Sequence, residues 1–166
     1  MAVEAEAVVL SQHARQAINA ALKNYPAGRK RSAVFVALRE VQHDNQGYLT
    51  VPLMDAVAAY LELQPIMVYE VASFYSLYAT EPVGRHSISV CTNISCMLRG
   101  AEDIVAHLEK RLDVKTGEST PDGRCYLRRE EECLAACKDA PMMMVDHKYY
   151  LNLTPAKVDA ILEELK

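Results

Sequence analysis

Apolar residues recur every three or four positions through the first half of the chain and switch to strand-like alternation in the second. Ser11 reads as an N-cap, and Ala14, Ile18, Ala21 and Leu22 follow at helical spacing as far as Tyr25-Pro26. A second helix is predicted from near Ser32, carrying Val34, Val36, Leu38 and Val41 and stopping at Gly47. A third, from about Val51 to Leu63, sets Met54, Val57, Ala58 and Leu61 on one face and ends at Gln64-Pro65. A fourth runs from Ile66 to about Tyr78. Pro82-Val83-Gly84 interrupts the helical period and sets the expected boundary between a helical bundle, residues 1–82, and a second domain, residues 83–166.

Past that break, His86-Ser87-Ile88-Ser89-Val90 alternates as a strand and leads into Cys91. A helix is predicted from about Met97 to Leu112, with Ile104, Val105 and Leu108 inward. Asp122-Gly123 turns into a strand from Arg124 to Arg129, and Glu130-Glu131-Glu132 precedes the next cysteine. Pro141 opens the apolar run Met142 to Val145, and a turn at Asp146-His147 returns the chain as Lys148 to Leu151. Thr154-Pro155 forms an N-cap and first-turn pair for a last helix ending at Lys166. The order β-α-β-β-α in residues 83–166, after a run of helices, predicts an α+β chain.

Composition narrows the function classes. Of 166 residues, 51% are hydrophobic, enough for a core without disulfides. The net charge is −4, with 6 Lys and Arg against 8 Asp and Glu before Gly84 and 12 against 14 after it. Neither half is a polybasic surface, and Arg29-Lys30-Arg31 is too short a run to argue for a nucleic-acid partner. No stretch of about 18 apolar residues occurs, so direct membrane insertion is not expected. The start, Met1-Ala2-Val3-Glu4-Ala5-Glu6, is acidic where a secretory signal would be basic and lacks the arginines of a mitochondrial presequence. A soluble protein of a reducing compartment is expected, and there clustered cysteines bind metal more often than they pair as disulfides.

Those cysteines form two clusters, Cys91-x4-Cys96 and Cys133-x3-Cys137. Both follow predicted strands, so they are expected to meet at one edge of the sheet. Cys96 stands just before a predicted helix, whose free N–H groups favour thiolate. Structural zinc usually takes Cys-x2-Cys knuckles, so four thiolates at uneven spacing suit an iron–sulfur cluster better. A dithiol oxidoreductase would want Cys-x-x-Cys, which is absent, and inert core cysteines occur singly rather than as two tight pairs. A zinc-stabilised interaction module is the competing function class, and colour separates the two. Arg99 and Lys138 lie near the pairs and are candidates to offset cluster charge, against the plainer reading of surface cations. Cys125 lies inside a predicted strand and reads as a core residue rather than a ligand. The five histidines are scattered and flank no pair, so none is assigned to the metal.

At this point the residues resemble a known family. Tyr25-Pro26, Arg31-Ser32-Ala33, Phe74-Tyr75-Ser76, Pro82 to His86, Cys91 to Cys96 with Met97-Leu98-Arg99-Gly100-Ala101-Glu102, and Cys133-Leu134-Ala135-Ala136-Cys137 are similar to the NuoE family of NADH:ubiquinone oxidoreductase subunits. The likeness runs from about Ser11 to Lys166. It implies a helical N-terminal bundle followed by a thioredoxin-like ferredoxin domain with one [2Fe–2S] cluster, its ligands Cys91, Cys96, Cys133 and Cys137. It also implies a NuoF-like partner that binds FMN and NADH, and other peripheral-arm subunits of respiratory complex I. The expected location is the cytoplasmic side of the inner membrane. Related subunits serve NAD-dependent formate dehydrogenases and hydrogenases, and the motif does not separate these homes. The division of labour agrees with the residues: six glycines form no Gly-x-Gly-x-x-Gly cradle, so FMN and NADH are expected only on the partner. A cluster takes one electron whereas NADH delivers a hydride, so no stand-alone NADH oxidation is expected. Phe74, Tyr75 and Tyr78 are read as a core aromatic patch in preference to a docking surface.

Overall fold

The computed structural model describes residues 8–129 and 133–165, so the acidic start, Glu130-Glu131-Glu132 and the final Lys166 lie outside the described residues. Its contacts divide the chain into two compact units, Met1–Pro82 and Val83–Lys166. The whole is α+β, seven α-helices and a five-stranded mixed sheet among the described residues.

The first unit holds α1 (Gln12–Leu22), α2 (Val34–Asp44), α3 (Val51–Leu61) and α4 (Pro65–Phe74). Ser11 caps α1 as expected, its Oγ accepting from the Ala14 N–H at 2.9 Å. Thr50 does the same for α3 through Leu53, and Pro52 and Pro65 fall in first turns, where no N–H is missed. Ala14, Ile18, Val34, Leu38, Val41, Val57, Leu61 and Val68 close one core. Val36 stands off the buried stripe of α2, where Ala37 packs instead. A short 3-10 turn, Lys30–Ala33, precedes α2 near the predicted start. The fourth helix ends at Phe74, four residues before its predicted end, and this divides the aromatic patch. Tyr78 is buried and donates to the Phe35 carbonyl at 3.0 Å, while Phe74 is 79% exposed. Tyr75 lies between, edge-on to Phe35 at 4.7 Å and to Phe74 at 5.0 Å.

The second unit is a sheet ordered β2-β3-β1-β4-β5, with β1 (His86–Val90) at its centre. The others are β2 (Glu118–Ser119), β3 (Cys125–Leu127), β4 (Met143–Val145) and β5 (Lys148–Tyr150). β1 runs parallel to β3 and antiparallel to β4. The crossover from β1 to β3 carries α5 (Ile94–Met97) and α6 (Ala101–Leu112), and α7 (Pro155–Glu164) closes the chain. Ile88, Val90, Leu127, Met143 and Val145 form one face, packed with Ile104, Leu108, Val158 and Ile161 of α6 and α7. β2 is two residues long and α5 a single turn, both too short to carry a periodic signal. The predicted turn at Asp146-His147 has φ of 47° and 68°, the double left-handed turn that suits a tight hairpin. Thr154 caps α7 through the Lys157 N–H, as expected. Gly84 is required by proximity: a Cβ there would stand 2.4 Å from the Cys125 carbonyl carbon.

Candidate metal centre

The parallel pairing of β1 with β3 decides where the cysteines go. Two parallel strands leave the sheet at the same end, so Cys91, directly after β1, and the segment with Cys133 and Cys137, after β3, emerge on one side. β1 is the central strand, so the edge at which the two segments meet is the one at the end of the sheet's middle strands. Cys91 extends the β1–β4 ladder by donating its N–H to the Met142 carbonyl at 3.1 Å. Its side chain packs with Cys96, Ala101, Leu134, Ala140 and Met142 in a small core of its own.

The two pairs approach one another through Cys91 and Cys96. The Cys91 sulfur interacts with the thiols of Cys96 and Cys133, and Cys96 senses Cys91 and Cys137. All five cysteines are free thiols. Cys91 and Cys96 are 2% and 1% exposed, whereas Cys133 and Cys137 face outward. Among the described residues, no three or more His, Cys, Asp or Glu side chains converge as ligands of a single ion. Cys125 sits apart, fully buried in the α6–α7 core, and burial pushes its thiol up.

The two buried thiols titrate in opposite directions. Burial pushes Cys91 up, but the amides of Leu134 and Asn93 and the thiols of Cys96 and Cys133 outweigh it and hold the group below the ordinary thiol value. Burial, followed by the hydrogen bond and charge of Cys91, pushes Cys96 up, against the opposing Met142 amide. Two neighbouring thiolates in a dry site repel one another, so the second proton is retained. A bound cationic centre removes that obstacle, because a coordinating thiol loses its proton outright. Two thiol pairs brought near one another, with three amide donors at the buried sulfurs, are a donor set that suits an iron–sulfur cluster.

The local chain explains the donors. Asn93 accepts from the Ile94 N–H at 2.9 Å and starts α5, which places Cys96 inside that turn rather than before a helix. Burial thus governs Cys96, not the helix start the sequence suggested. Gly100, at φ 86°, separates α5 from α6, so the single helix expected from Met97 becomes two. Ala135 at φ 58° bends the Cys133–Cys137 loop and leaves the Leu134 amide directed at Cys91. Arg99 and Lys138 are exposed, and burial, backbone amides and the other thiols are the main influences on the two buried thiols. The amides of Asn93, Leu134 and Met142 were missed from sequence, since a backbone donor has no side-chain signature. Only Asn93, a capping residue between the two cysteines, offered a signal.

A sheet of this topology, flanked by helices and bringing two cysteine segments to one end, is that of a thioredoxin-like iron–sulfur protein. The family model described as "Thioredoxin-like [2Fe-2S] ferredoxin" matches residues 18–166, and the chain belongs to that family. Its cofactor is accordingly a [2Fe–2S] cluster. More particularly, it is 43% identical over 152 residues to an E-type subunit of the NADH-quinone oxidoreductase of Rhizobium meliloti (strain 1021), covering 92% of this chain and 88% of the relative. It is 41% identical to the E-type subunit of the NADH-quinone oxidoreductase of Rickettsia bellii (strain RML369-C), covering 87% of this chain and 86% of that one. Among solved structures, an NAD+-reducing [NiFe]-hydrogenase in the air-oxidized state has a similar fold, with a TM-score of 0.65 at 21% identity. That match covers 77% of this chain and 22% of the hydrogenase chain.

Proposed function

We propose that this chain is the electron-transfer subunit of an NADH dehydrogenase module of the complex I type, with Cys91, Cys96, Cys133 and Cys137 as the four ligands of its cluster. The convergence of the two cysteine segments at the end of the parallel β1–β3 pair carries the reading. The names of the relatives support the module, and the four-thiol donor set supports the ligands. On this reading Met1–Pro82 is a helical bundle domain and Val83–Lys166 the ferredoxin domain.

When bound, the cluster supplies one-electron transfer. The residues around it exclude water from the Cys91 and Cys96 side and direct the amides of Leu134, Asn93 and Met142 at sulfur, which favours added negative charge. Electrons are exchanged singly with the FMN of a NuoF-like partner, which accepts hydride from NADH. Ile94, Met97 and Leu98, exposed by 68%, 43% and 76%, flank buried Cys96 and supply an apolar docking surface for that flavoprotein beside the site. No helix among the described residues is long and apolar enough to cross a membrane. The proposed place is a peripheral arm on the cytoplasmic side of the inner membrane.

Electron paramagnetic resonance of the dithionite-reduced protein, paired with iron and sulfide analysis, tests the reading. The expected result is a reddish-brown protein with an axial or rhombic [2Fe–2S] signal. A colourless zinc protein would overturn it. In an NADH–ferricyanide assay the cluster-loaded chain alone is expected to be inactive, with turnover appearing only when the flavoprotein is added.

A further inference from the structure

A buried hydroxyl stands beside the candidate centre. Ser89 is 1% exposed, and its Oγ has no hydrogen-bond partner among the described residues. Buried hydroxyls are almost always satisfied, so one that is not calls for an explanation. Its surroundings offer little: across the ladder it faces Met144, whose thioether is a weak acceptor. The neighbouring hydroxyl of Ser87, by contrast, accepts from Arg128 at 3.5 Å.

The strand geometry points Ser89 toward the thiols. Ile88 and Val90 face the α6–α7 core, so alternation puts Ser89 on the opposite face together with Cys91. Two residues along a strand separate them by about 6.6 Å. Met144 and Met142, the ladder neighbours of Ser89 and Cys91, both pack against the small core that contains Cys91 and Cys96.

We infer that Ser89 is a positioning residue for the one-electron centre, its hydroxyl dipole turning toward added negative charge and raising the reduction potential. The inference rests on the cluster reading above. A hydroxyl with no acceptor among the described residues can turn about its C–O bond, and away from bulk water its dipole acts with little screening. The proton stays on oxygen throughout, so only orientation changes between redox states.

Redox titration of the full chain, loaded with its cluster and followed by electron paramagnetic resonance, tests this with S89A and S89T. S89A is expected to keep the cluster and its thermal midpoint, because it deletes a hydroxyl with no hydrogen-bond partner among the described residues. The reduction equilibrium should become about three-fold less favourable, roughly 30 mV at 59 mV per tenfold for one electron. S89T restores the hydroxyl and should return the potential most of the way to the wild-type value. An unchanged or raised potential in S89A overturns the inference, as does an equal fall in S89T, which would trace the effect to packing. If the wild-type chain shows no [2Fe–2S] signal, the cluster reading itself fails, and the two failures are distinct.

Discussion

The two units of this chain bury apolar surface in different ways. Met1–Pro82 closes a core from four amphipathic helices, and no cysteine lies in it. Val83–Lys166 builds its core across a sheet whose central strand pairs with segments some 40 and 55 residues further along the chain, and it holds every cysteine. A helical core can be stable wherever an apolar stripe finds a partner. A four-thiol centre needs distant segments delivered to one point, which hydrogen-bonded strands do with fixed register. The chemistry therefore belongs to the unit with the long-range contacts.

The largest effect expected within this contrast is all-or-none. Alanine at Cys91, Cys96, Cys133 or Cys137 should each abolish the cluster, read as bound iron and visible absorbance. Cys125→Ala should retain it, because Cys125 is buried in the α6–α7 core away from the other thiols. Loss of iron in Cys125→Ala with retention in one of the four would reverse the ligand assignment.

Next come changes that should separate the units. Leu38→Ala removes a fully buried side chain from the helical core and should cost about 3 kcal/mol. Gly84→Ala forces a Cβ against the Cys125 backbone and should cost the sheet unit about 3 kcal/mol as well. Thermal melts followed at 222 nm and by cluster absorbance should diverge: Leu38→Ala lowers the helical transition, Gly84→Ala the absorbance transition. Coincident shifts in both signals for both variants would show that the units melt as one.

A smaller effect is local to the helices. Thr50 caps α3, and Thr50→Ala should cost about 1 kcal/mol with no change in cluster absorbance. The smallest concerns the acid limb of the sheet unit. The hydrogen bond from His107, reinforced by Arg111 at 3.2 Å, holds the Asp159 carboxyl below its ordinary value and ties α6 to α7. A lowered carboxyl contributes stability above its unfolded value, and that contribution fades as pH falls through the lowered one. Asp159→Asn should therefore flatten the loss of stability below about pH 4 while leaving the neutral melt of Met1–Pro82 in place. An unaltered acid limb would show that this clamp contributes nothing to acid stability.

Hydrophobic periodicity by itself determined the helical elements, because each helix advertises its buried face within a dozen residues: Ala14 and Ile18, Val34 and Leu38, Val57 and Leu61. Caps at Ser11 and Thr154 and the hairpin turn at Asp146-His147 were likewise legible, since each depends on neighbouring residues alone. The paired cysteine spacing announced a thiolate chemistry and, through its resemblance, a family. Tertiary structure alone decided the rest. The one-turn α5 and two-residue β2 have no period to read, and Tyr78 and Phe74 share one sequence patch yet end at opposite exposures. That the two cysteine segments come together at the end of the central strand, that amides of Leu134 and Met142 turn toward sulfur, and that Ser89 is buried without a partner among the described residues all follow from strand order and register. Those are set by contacts between residues far apart in the chain, and no local pattern encodes them.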